Sequence, residues 1–83
     1  MKNCRHRISQ VKEGSIAWEL EIEPGDELLS INGETVEDVF DYHYLVNDEE
    51  LELLICKQNG EEWELEIEKD LEEDLGLEFE NSL

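Results

Sequence analysis

Basic residues are scarce in this chain. Its 83 residues include six Lys and Arg against 25 Asp and Glu, a formal net charge of −19. Lys2, Arg5 and Arg7 all precede Ile8, so from Ile8 onward 25 acids meet three bases and the body carries close to −22. Such a surface repels phosphate backbones and anionic lipid, which makes nucleic acid and membrane poor partners, and it draws basic protein segments towards it. The same excess also serves solubility, or adaptation to salt or heat, and composition alone does not separate these readings. Cysteine is nearly absent. Cys4 and Cys56 are too few and too far apart for a disulfide framework, and Cys4-x-His6 offers two ligands where a zinc site needs more. There is no signal peptide and no apolar run of spanning length, so a cytoplasmic location is expected. His6 and His43 are the only imidazoles. No Ser/His/Asp arrangement or glycine-rich phosphate loop occurs, and Asp70 to Asp74 lacks the spacing and glycine of a calcium loop. The carboxylates read as a solvated face, so neither catalysis nor a metal or other cofactor is expected.

What is present is strict apolar patterning, which argues for a folded domain in spite of the charge. A chain of this size buries only roughly 60–65 % of its unfolded surface, so a single thin core is expected. Ile8 and Val11 suggest a first strand. Ser15 is placed to cap a short helix over Ile16 to Leu20, closed by Pro24-Gly25. Glu27 to Ile31 reads as a strand with Leu29 and Ile31 on one face, followed by a tight Asn32-Gly33 turn. Val36, Val39, Phe40, Tyr44 and Leu45 then recur at helical spacing, predicting a helix from near Glu37 with Phe40 and Tyr44 towards the core. Leu51–Lys57 and Glu62–Glu68 form a hairpin across Asn59-Gly60, with Trp63, Leu65 and Ile67 inward and a glutamate ladder outward.

Glu13-Gly14-Ser15-Ile16-Ala17 and the run Pro24 to Gly33 together resemble the centre of a bacterial-type PDZ domain, with the spacing kept from Ile8 to about Val46. The resemblance implies an α+β fold: a small, partly open β-barrel or sandwich with one short and one longer helix. It also implies a module that docks a protein or peptide segment. The family's opening Gly-Leu-Gly-Phe-like loop has no counterpart before Ile8. It is matched by Asp74-Leu75-Gly76-Leu77-Glu78-Phe79-Glu80, so the chain resembles a circularly permuted member whose groove strand comes last. Residues 1–7 would be a flexible basic N-terminus, 8–80 the domain, and 81–83 the start of a linker in a longer protein.

The resemblance places the peptide site at Leu75, Gly76, Leu77, Glu78 and Phe79, faced by Asp41 and Leu45 from the second helix. Leu45 would join the apolar residues in a pocket, and Asp41 would select a donor or a positive charge. A two-residue shift would put His43 in the place of Asp41. The alternative is that Leu77–Phe79 merely completes the sheet. Asp70, Glu72, Glu73 and Asp74 crowd the loop with only Lys69 nearby, which disfavours a C-terminal carboxylate. A basic or internal segment added to the strand edge, or a neighbouring part of the same chain, suits the loop better. An exposed last strand also raises edge-to-edge pairing of two copies.

Gly14 to Phe79 is further similar to the N-terminal PDZ-like segment of bacterial radical-SAM-related iron–sulfur proteins. The similarity lies in the Pro24–Gly33 run, Asp41-Tyr42, Glu49–Leu54 and Asp74–Phe79. In that group a cysteine-rich cluster domain follows, and none of its cysteines is present here. This implies a second role, as a structural or regulatory cap of a downstream enzyme domain with no free peptide ligand.

Overall fold

The tight turns and alternating strands of the sequence assemble, in a computed structural model that describes residues 5–80, into one antiparallel sheet with two short helices. In chain order the elements are β1 (His6–Val11), α1 (Ile16–Glu19), β2 (Glu27–Ile31), β3 (Glu34–Thr35), α2 (Val39–Val46), β4 (Glu50–Cys56), β5 (Glu62–Glu68) and β6 (Leu77–Phe79). The strand order is β5-β4-β2-β1-β6, with β3 paired to β2 off this path. β1 changes partner along its length. His6 and Arg7 pair with Leu28 and Glu27 of β2, whereas Ile8 to Val11 pair with β6. A strand that changes partner in this way makes a corner in the sheet.

The β4–β5 hairpin follows the predicted alternation, with Leu53 opposite Leu65 and Ile55 opposite Trp63. Asn32 and Gly33 both take positive φ, 53° and 78°, the conformation of a two-residue hairpin turn that returns β3 onto β2. The predicted inward face of β2 is corrected. Leu28 and Ile31 are fully buried, and Leu29 is not. The register against β4 shifts between Leu28 and Ser30, and this irregularity moves the alternation by one residue.

The phase of α2 is corrected as well. Val36 is buried but precedes the helix, which starts only after its cap at Asp38. Counting from Val36 therefore puts the wrong side inward. Tyr42, Leu45 and Val46 meet the core, while Phe40 and Tyr44 are 78 % and 81 % exposed. They lie four residues apart and share the outer face.

Beneath the Pro24-Gly25 turn lies a buried ion pair. Asp26 is fully buried, and its Oδ2 lies 2.5 Å from Lys57 Nζ. The same oxygen accepts the Glu23 N–H at 2.8 Å, and Oδ1 accepts that of Gln58 at 3.2 Å. Lys57 Nζ also donates to the Glu21 carbonyl and lies 4.4 Å from the centre of the Trp63 ring. Among the described residues no helix is long and apolar enough to cross a membrane, and no three His, Cys, Asp or Glu are grouped to hold a metal ion. Cys4 lies outside the described residues.

Candidate functional site: the open edge of β6

The segment from Lys69 to Glu80 is tied down by its backbone. Lys69 Nζ donates to the carbonyls of Asp70 and Leu71, so this base is occupied by the loop itself. Leu75 O accepts the Ala17 N–H at 3.0 Å, which satisfies one of the free donors at the start of α1. Gly76 O accepts from Lys12 N, and Glu80 N donates to Arg7 O. The backbone groups of residues 76, 78 and 80 thus turn towards β1. Those of Leu77 and Phe79 turn the other way, and among the described residues β6 pairs with β1 alone. The result is a short open strand edge.

Side chains alternate about that edge. Leu77 and Phe79 are half-buried on the core side, and Glu78 is exposed. Across from them stands α2. The Tyr42 ring meets Phe79 edge-on at 5.3 Å between centroids, and Phe79 meets His6 at 6.2 Å. His6 is itself fixed by Nε2 donating to the Val36 carbonyl. At the loop end of β6 lies a recess of about 300 Å³ between Tyr42, His43, Val46 and Asn47 on one side and the segment 71–75 on the other. Asp74 Oδ1 accepts the Gly76 N–H at 3.1 Å. An internal carboxylate therefore already holds the glycine amide that the sequence reading offered to a ligand.

The expected site residues divide. Leu75, Gly76, Leu77, Glu78 and Phe79 are contiguous, with Leu75 in the core, Leu77 and Phe79 packed against it, and Phe79 meeting Tyr42 of α2. Asp41 and Leu45 are not at the recess beside Leu75. They line a separate depression with Gly33, Glu34, Thr35 and Tyr44. Asp41 serves the start of α2: its N–H donates to Asp38 Oδ1, and its Oδ2 accepts the Glu37 N–H. His43 does line the recess, 5.8 Å from the Tyr42 ring. The sequence reading missed Tyr42 as the residue facing β6. The triplet Tyr42, Leu45 and Val46, spaced three and four apart, was the signal that pointed to it.

Burial first, and then the Asp74 carboxylate, push the Tyr42 hydroxyl well above its ordinary value of 10.0. Below that value both folded and unfolded chains keep the proton. Above it only the unfolded chain releases it, so Tyr42 makes stability fall as pH rises past about 10. The decline in melting temperature above that pH should be shallower in Tyr42→Phe than in the parent, and parallel curves would contradict the shift.

An antiparallel sheet with an open edge strand beside a helix leaves room for an extended segment to add along that edge. Residues 7–57 match the family model described as PDZ domain. The chain belongs to the PDZ domain family, and it is a non-enzymatic protein-interaction module. The match spans β1 to the end of β4, so β5, the acidic loop and β6 lie beyond it. No curated protein matches the chain.

Proposed function

We propose that the chain binds an extended segment of protein by adding it as a further strand along β6, in a permuted PDZ arrangement whose groove strand comes last. The observation that carries this reading is the outward-facing backbone of Leu77 and Phe79 on a strand that, among the described residues, is paired on one side only. Phe79 and Tyr42 form the wall between edge and helix. The bound segment is internal or basic, because Asp74 occupies the Gly76 amide and the charge of −19 repels a carboxylate. Nucleic acid and anionic membrane are disfavoured on the same ground.

A second reading has its own observation. Phe40 and Tyr44 present two exposed aromatic rings on the outer face of α2. A neighbouring domain of a longer chain, such as the iron–sulfur domain implied by the sequence resemblance, would cover them and use this module as a cap.

The test is an NMR titration of the ¹⁵N-labelled chain with extended peptides, both amidated and free at the C-terminus. Shifts confined to Gly76–Glu80 and Tyr42–Val46, equal or stronger with the amidated set, are the expected result. Silence across the set, or shifts centred on Phe40 and Tyr44, would shift the assignment to the cap.

A further inference from the structure

Tyr42 combines a buried ring with a hydroxyl that reaches the surface. The residue is 9 % exposed, and its Oη has no hydrogen-bond partner among the described residues. Among the described residues no buried side-chain oxygen or nitrogen is left unpaired, so this hydroxyl is not sealed in the core, and Tyr42 lines the recess. Among the described residues no Lys or Arg lines this recess, whose polar lining is Tyr42, His43, Asn47, Glu72, Glu73 and Asp74. Asp74 spends Oδ1 on Gly76 and has Oδ2 left over, while Glu72 and Glu73 also line the recess. Lys69, the nearest cation in sequence, is 8 % exposed and directed at the Asp70 and Leu71 carbonyls. Its apolar lining is Val46, Leu71 and Leu75.

Apolar side chains beside carboxylates and a phenol oxygen complement an aliphatic stem that ends in a cation. We propose that this recess receives the side chain of a Lys or Arg carried by an extended protein segment paired along β6, which makes Tyr42 and Asp74 the residues that set its specificity. This rests on the strand-addition reading and adds to it the identity of one side chain. It differs from general attraction to an acidic body, because it assigns the preference to one carboxylate among 25 acids.

The test uses the 83-residue chain at physiological ionic strength, where diffuse attraction is screened. The probes are two N-acetylated, C-amidated peptides alternating Val and Thr, one with a central Lys and one with norleucine there. The Lys peptide should bind at least about tenfold tighter, the range of one charge-assisted hydrogen bond. That preference should collapse in Asp74→Asn, whose amide oxygen still accepts from Gly76, and shrink in Tyr42→Phe. It should persist in Asp70→Asn, which removes the same charge away from the recess. Each variant is first shown to keep the parent's melting transition. Equal affinity for the two peptides overturns the cation assignment and leaves strand addition standing. An equal loss in Asp74→Asn and Asp70→Asn overturns it in favour of bulk charge. Binding of neither peptide removes both readings.

Discussion

Replacing Asp26 with Ala should cost about 3–5 kcal/mol of folding stability, read as a large drop in the urea midpoint of unfolding. The carboxylate is fully buried and makes three contacts, to the Lys57 ammonium and to the N–H groups of Glu23 and Gln58. Its removal strands a lysine that is itself only 8 % exposed, along with two backbone donors. The Glu21 carbonyl and Glu23 Oε1, 3.6 Å away, would still face the ammonium, but neither replaces the shorter contact. A domain of this size has roughly 4–12 kcal/mol in total, so the variant should be largely unfolded under mild denaturant. The double variant Asp26→Ala, Lys57→Met should recover much of the loss, since no buried charge is left unpaired. A single-variant loss within about 0.5 kcal/mol of a surface substitution would show that the pair does not hold the Pro24-Gly25 turn to the end of β4.

Nothing in the local pattern announces that pair. Asp26 reads as an ordinary turn residue, and one acid among 25 cannot be singled out. The scarcity of bases was the usable signal, because a lone Lys57 at the end of an apolar strand has few reasons to be there. Elements with period-two alternation and an Asn-Gly turn were legible: β4, β5 and the β2–β3 turn all stand where their residues place them. Such signals are local, since turn chemistry and alternation act within a few residues.

Errors arose where tertiary register overrides local period. The irregularity beside Leu29 moves an inward face by one residue, and the Asp38 cap resets the helical phase that Val36 seemed to begin. The site divided in the same way. β6 has three residues, too few to show a period, and its place in the sheet was legible only through resemblance to a family. The partner facing it from α2 depended on the phase of that helix. A one-residue error of phase separates Asp41 from Tyr42, and with it a capping residue from the ring that packs on Phe79.

Gly76→Ala should destabilise the chain by roughly 2–3 kcal/mol and loosen β6 selectively. Gly76 sits at φ 87°, where a side chain is strained, and a Cβ there would fall on Cβ and Oγ of Ser15. Ser15 cannot simply yield, because its Oγ caps α1 by accepting the Trp18 N–H. Either the cap is lost or the loop lifts, and lifting breaks Leu75 O from Ala17 N and Gly76 O from Lys12 N. Gly33→Ala supplies the comparison, since its φ of 78° carries a similar backbone strain with nothing within 4 Å of the new Cβ. Gly76→Ala should therefore lose more stability than Gly33→Ala, and amide exchange should speed up first at Leu77–Glu80. Adding Ser15→Gly removes the collision and should return Gly76→Ala towards the Gly33→Ala value, because Gly is tolerated at a cap position. Equal losses at the two glycines, with no relief from Ser15→Gly, would mean that the loop does not rest on the start of α1. The open edge of β6 would then lack the rigid seat that strand addition requires.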